Sequence, residues 1–156
     1  MRRLAPAAAV LALAACGGSG APKGDPAVFA TRVVDQIVHN RYAQAWQDLD
    51  PLDQQVAPRD EYVGCELRSP VLTVPRTMKV LSVGDESVGL GNGRFVQSKA
   101  VHVRLGFDGG FHLVHTVHVV AAGGKWTWIL PSWRFRDYKA NRCSTDAGSS
   151  PAPTAS

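Results

Sequence analysis

His112, His115 and His118 recur at every third residue. On a helix that spacing would gather three imidazoles on one face and suggest a transition-metal site. The surrounding pattern argues otherwise. Phe111, Leu113, His115, Val117 and Val119 alternate with His112, Val114, Thr116 and His118, which is the period of a strand. On a strand, His115 faces away from the other two. His112 and His118 then stand about 20 Å apart at 3.3 Å per residue. One zinc ion with Zn–N bonds of about 2 Å cannot join them. His118 approaches Ala100 and Ile129 across the sheet, and neither is a ligand. No metal site is therefore assigned.

His115 is the polar residue on an otherwise apolar face, where an acid or base would sit in an enclosed site. Catalysis would also need a carboxylate or Tyr within hydrogen-bond reach. The strands offer no inward Asp or Glu, so Tyr42 or Tyr62 would have to supply it from the helices. Without that partner, His115 is a core histidine bonded to a helix carbonyl. Gly89-Leu90-Gly91-Asn92-Gly93 lacks the following Lys-Ser/Thr and the following helix of a phosphate loop, so it reads as a turn. Trp46, Asp48 and Asp50 could be taken for a binding cluster. Core spacing of the Trp and solvated acids before Pro51 explain them as well. No catalytic residue and no cofactor is expected.

The three cysteines carry a different chemistry. Cys16 ends Leu13-Ala14-Ala15-Cys16, after the basic start Met1-Arg2-Arg3 and an apolar run over residues 4–13 that contains Pro6. That run is too short for the roughly 20 residues of a spanning helix. It reads as an export signal over residues 1–15. The small residues before Cys16 and Gly17-Gly18-Ser19-Gly20 after it resemble the lipobox of bacterial lipoproteins. The resemblance implies cleavage before Cys16 and a diacylglycerol on its thiol. The alternative is an ordinary secretory signal cut near Ala15. Two or more acyl chains would hold the protein stably at the outer face of the cell membrane. Cys65 and Cys143 remain, and a pair in an oxidising compartment is expected to form a disulfide. The alternative is a free reactive thiol at Cys65, though no His or Asp sits beside it in a nucleophile-like pattern.

Residues 16–24, Gly-rich after the cysteine, read as a flexible tether. Residues 144–156 hold no aromatic and no large aliphatic residue, so they read as a disordered tail. Residues 25–143 are the right size for one domain with one core. Charge is uneven. Residues 16–75 carry five basic and eight acidic side chains, and residues 76–142 carry ten basic and four acidic. Arg134, Arg136, Lys139 and Arg142 form the densest basic stretch. They suit either an anionic lipid or polymer surface or an edge strand protected by charge, since they alternate with Trp133, Phe135 and Tyr138. Export makes nucleic acid an unsuitable partner.

The elements that must hold these residues follow from periodicity. Asp25-Pro26 is a helix start, and Phe29, Val33 and Ile37 continue it with a helical stripe. Asn40 is a left-handed stop. A second helix is expected over residues 41–50, at most one turn over 52–56, and a third helix over 58–66. From Val71 onward the period becomes two. Strands are expected over 77–83, 88–90, 100–107 and 111–119. Hairpin turns are expected at Asn92-Gly93, Asp108-Gly109-Gly110 and Gly123-Gly124. Matching apolar faces places Phe107, Leu105, Val103 and Val101 opposite Phe111, Leu113, His115 and Val117. It places Trp126, Trp128 and Leu130 opposite Ala121, Val119 and Val117. The expected class is α+β, with N-terminal helices packed on an antiparallel sheet of four to five strands.

Residues 25–143 resemble the NTF2-like superfamily. The run Tyr42-Ala43-Gln44-Ala45-Trp46, Leu49-Asp50-Pro51 and Tyr62-Val63-Gly64-Cys65 is similar to uncharacterised exported lipoproteins of actinobacteria. The resemblance implies a cone in which helices pack into a strongly curved sheet. That cone hosts both cyclase- or isomerase-like enzymes and non-catalytic binding modules, so fold alone does not give function. A pocket inside it would be lined by Trp46, Leu105, His115, Val117 and Trp128. The reading is a lipid-anchored, non-catalytic envelope domain that binds a small apolar ligand or a protein partner. The alternative is a small cyclase- or isomerase-like enzyme using His115.

Overall fold

The computed structural model describes residues 21–143. The expected signal, Cys16 and the expected tail lie outside the described residues. Helix α1 (Pro26–Val38) starts as its sequence requires. The Asp25 carboxylate accepts from the Ala27 amide at 2.7 Å, and Pro26 occupies the first helical position. Ala30, Val33, Val34 and Val38 form its buried face. Asn40 follows in the left-handed region at φ 57°. Its side chain also grips both backbone groups of Val71, at 2.8 and 3.0 Å.

Helix α2 (Tyr42–Gln47) is shorter than expected. Residues 48–50 leave the helix because the sheet takes their backbone. The Asp50 amide donates to the Trp128 carbonyl at 2.8 Å, and the Trp128 amide donates to the Asp48 carbonyl at 3.0 Å. Pro51 also disfavours helical geometry at Asp50. Helix α3 (Pro51–Val56) is more than one turn, capped by Asp50, whose carboxylate accepts from the Leu52 amide. Helix α4 (Arg59–Glu66) buries Tyr62 and Cys65.

Four antiparallel strands follow in sequence order: β1 (Thr77–Gly89), β2 (Phe95–Gly106), β3 (His112–Ala122) and β4 (Lys125–Trp128). The expected strands at 77–83 and 88–90 are one strand, and a bulge between Val80 and Ser82 absorbs the break in pattern. Val101, Val103 and Leu105 pair with Val117, His115 and Leu113, and Phe107 closes on Phe111 through the backbone. Trp126 and Trp128 pair with Ala121 and Val119. Leu130 lies beyond the end of β4. Gly123 and Gly124 both have positive φ, as a tight two-residue hairpin turn demands.

The basic C-terminal stretch is a helix, α5 (Ser132–Lys139), and not an edge strand. Phe135 and Tyr138, three residues apart, are its buried contacts, while Trp133 is exposed. Trp133 and Phe135 keep the spacing of a strand, while Phe135 and Tyr138 keep that of a helix. Packing of Phe135 and Tyr138 into the core decides for the helix. The expected cysteine pair is joined: Cys65 and Cys143 form a disulfide across Cα atoms 5.4 Å apart. The bond ties α4 to the segment after α5, rather than to a last strand. The turn between β1 and β2 also reaches α5. A Cβ on Gly91 would run into the Phe135 ring, so only glycine allows that approach.

One core lies between the helices and one face of the sheet, centred on Val33, Val34, Val101, Val103, Val119 and Trp128. A small second cluster of Leu90, Val120 and Ile129 sits on the other face.

Candidate functional site

Three of the five residues expected to line a pocket are core side chains. Leu105, Val117 and Trp128 are buried among the α1 valines. The Trp128 indole N–H donates to the Ala45 carbonyl at 2.7 Å, which pins β4 to α2. The Trp46 indole N–H donates to the Ala57 carbonyl at 2.8 Å. Tyr62 packs its ring 6.4 Å from Trp128, 6.5 Å from Tyr42 and 6.0 Å from Tyr138, centre to centre. These aromatic rings and the valines of α1 occupy the space the sheet could have left for a ligand.

His115 stands apart from this core. It sits opposite Val103, as the register required. On β3 the helices cover Val117 and Val119 but leave Leu113 and His115 exposed. His115 is thus not a core histidine bonded to a helix carbonyl, and it makes no side-chain hydrogen bond among the described residues. Solvent reaches it, yet the surrounding protein desolvates the ring enough to lower its pKa. The tyrosines named as partners are engaged elsewhere. The Tyr42 hydroxyl donates to the Asn40 side-chain oxygen at 2.7 Å. The Tyr62 phenol is buried, and desolvation pushes its pKa well above the usual range.

The other face of the sheet carries a polar cluster that the sequence reading did not assemble. The Ser98 hydroxyl donates to the Glu86 carbonyl at 2.9 Å and also contacts His118 Nδ1 at 3.1 Å. One hydroxyl has one proton, so His118 Nδ1 must carry the hydrogen here and Nε2 keeps its lone pair. His102 Nδ1 lies 2.8 Å from the Thr116 hydroxyl. Desolvation lowers the His118 pKa, opposed by Glu86 and aided by His102. Directly opposite positions gave Ala100 and Ile129 for His118; the diagonal neighbours Ser98 and His102 are the polar ones within reach. Among the described residues, no group of three or more His, Cys, Asp or Glu could hold a metal ion.

Two further clusters were not anticipated. Asp53 is 1% exposed, accepts from the Leu130 amide at 2.6 Å, and leaves its Oδ1 without a partner. Burial pushes its pKa up to about 7, with the Leu130 bond opposing the rise and Asp50 adding to it. From sequence, Asp53 is an ordinary acid in the first turn of a helix. The second cluster joins α4 to α5. Arg134 pairs with Glu66, and the Tyr138 hydroxyl donates to the same Glu66 oxygen at 2.9 Å. Burial raises the Tyr138 pKa to about 12. Arg142 pairs with Asp137 at 2.9 Å. Of the basic stretch, Arg134 is thus engaged inside the fold, Arg142 pairs at the surface, and Arg136 and Lys139 are exposed. Asp48 pairs with Arg32 at 3.1 Å and Asp50 caps α3, so Trp46, Asp48 and Asp50 each have structural work.

Two shallow cavities of about 210 Å³ each are present. One lies between Asp50, Leu90, Arg94 and Ile129 on the outer side of the sheet. The other lies between α4 and α5 beside the disulfide. His115 lines neither. No helix among the described residues is long and apolar enough to cross a membrane. Compared with models of known protein families and with curated protein sequences, the chain matches none.

Proposed function

We propose that this chain is an exported lipoprotein, anchored through Cys16, whose folded domain is a non-catalytic accessory module of the cell envelope. It acts through its surface, on a protein or envelope partner. The reading takes the helices and four-stranded sheet as an NTF2-like cone whose interior is filled. The observation that carries it is the packing of Trp128, Tyr62 and the α1 valines where a ligand would sit. Typical ligand sites measure about 300–1,000 Å³, and neither shallow cavity opens on the cone's inner face. The Cys65–Cys143 pair at disulfide distance supports an oxidising compartment.

The enzymatic alternative receives less support. His115 lacks a hydrogen-bonded carboxylate or Tyr, and general acid–base work requires one within reach. A direct test expresses the full chain and its Cys16→Ser variant in a bacterium that processes lipoproteins and is fed a labelled fatty acid. The parent is expected to carry the label and the variant none. A parent without label would remove the anchor from the reading. Substrate turnover by the parent that His115→Gln abolishes would replace the accessory role with the enzymatic one.

A further inference from the structure

We infer that the hairpin end of the sheet around Phe111 is a docking tip for an anionic lipid surface. This is a membrane contact separate from Cys16. The β2–β3 hairpin places the Phe107 and Phe111 rings 5.7 Å apart, and Phe111 is 62% exposed. Leu113 continues the exposed apolar surface on the Phe111 side of β3, and Val114 (51%) is exposed on the opposite side. The segment before β1 closes on the same end. Its Arg76 amide donates to the Gly106 carbonyl at 2.8 Å, and its guanidinium holds Asp108 at 2.9 and 3.1 Å. That segment presents Leu72, 90% exposed, and Val74. Isolated surface apolar residues need no explanation, but five large ones at one end of a small domain do.

The charges beside them identify the occupant. Lys79 and Arg104 are directly opposite each other on β1 and β2, and Arg104 is opposite Val114 on β3. Like charges directly opposite destabilise a sheet. Both are exposed, and neither has an ion-pair partner among the described residues. Asp108, the acid of the β2–β3 turn, is taken by Arg76. Residues 77–80, 102–106 and 112–116 contain no Asp or Glu. A hairpin end with exposed aromatic and aliphatic side chains, and unpaired cations beside Val114 on its outer face, matches the apolar and anionic layers of a bilayer interface.

The geometry permits this contact from an anchored chain. The Gly24 carbonyl accepts from the Trp126 indole, so the chain leading back to Cys16 leaves from the other end of β3. Along the strand, the tip stands about 35 Å from that point. The chain from Cys16 to Gly24 spans at most about 28 Å. A domain lying on its side can therefore set both ends against one membrane.

The test uses the full chain with Cys16→Ser, so that acylation cannot contribute and failure of the anchor cannot be mistaken for failure of the tip. Sedimentation with phosphatidylcholine vesicles, with and without about 30% phosphatidylglycerol, measures binding to an anionic surface. Segment 1–15 contributes equally to every variant, so ratios between variants carry the result. Lys79→Gln/Arg104→Gln is expected to lower affinity for the anionic vesicles about twenty-five-fold, at about fivefold per cation. Phe111→Ser should lower it about tenfold. Arg94→Gln/Lys125→Gln makes the same change in net charge at the opposite end and should stay within about threefold. Lys79, Arg94, Arg104, Phe111 and Lys125 are all exposed, and circular dichroism confirms folding. Equal losses from both charge pairs, no dependence on phosphatidylglycerol, or an unaffected Phe111→Ser variant would each overturn the proposal. The last two results would return the patch to a protein partner.

Discussion

Replacing Asp53 by Asn should flatten the dependence of stability on pH. The carboxyl is 1% exposed and one of its oxygens has no partner, so the protein holds it as the neutral acid to a pH of about 7, against 3.8 in the unfolded chain. Well below pH 3.8 it is protonated in both states and contributes nothing to the dependence. Between 3.8 and about 7 the unfolded chain releases the proton and the folded chain keeps it. The folded state binds more protons there, so stability falls as pH rises. At about 1.4 kcal/mol per unit, the loss accumulates to about 4 kcal/mol by pH 7 and stays constant above it. That is a large share of the roughly 5–15 kcal/mol that holds a typical domain together. The amide of the Asp53→Asn variant would keep an acceptor for the Leu130 N–H and remove the ionisation. Urea unfolding of both proteins from about pH 4 to 8 measures the effect. The variant should gain about 4 kcal/mol relative to the parent across that range. His115 contributes the opposite slope. Its lowered pKa gives stability that is complete above 6.5 and lost as pH falls, and it is present in both proteins and cancels in their difference. A constant offset between the two curves across this range would refute the reasoning.

Other outcomes follow from the packing. Cys65→Ser/Cys143→Ser opens a loop of 78 residues, and the chain-entropy model sets the loss at up to about 4.5 kcal/mol; urea midpoints with and without the substitutions report it. Gly91→Ala forces a methyl group into the Phe135 ring and should cost about 1–3 kcal/mol, read from the same midpoints. Trp128→Phe removes the indole hydrogen bond to the Ala45 carbonyl, which keeps the Asp48 amide as a donor, and should cost about 1 kcal/mol. His115→Gln should leave stability at pH 8 within about 0.5 kcal/mol, since an exposed ring with no hydrogen bond holds little together; thermal unfolding reports it.

The sheet was legible because its register follows from alternation alone. Val101, Val103 and Leu105 had to face Val117, His115 and Leu113 once both apolar faces were matched, and the glycine turns fixed the loop lengths. The start of α1 was legible from Asp25-Pro26. The C-terminal helix was not, because Trp133 and Phe135 keep a strand's spacing while Phe135 and Tyr138 keep a helix's, and only the packing of Phe135 and Tyr138 into the core decides. Residues 48–50 were lost to the same cause, a long-range backbone pairing with Trp128 that outweighs local helical preference. The cysteine pair was legible from counting. Asp53 was invisible, since its character comes from what Leu130 and the core do around it. His118 with Ser98 was missed because the neighbours that matter on a sheet include the diagonal ones.

The central claim is a filled, lipid-anchored domain that works by contact. Native mass spectrometry of the chain extracted from membranes, followed by denaturing mass spectrometry of the same sample, tests it most directly. The expected mass is that of residues 16–156 plus acyl groups on Cys16, unchanged on denaturation. A chain without acyl groups, or a small molecule that leaves only when the fold is lost, would contradict it.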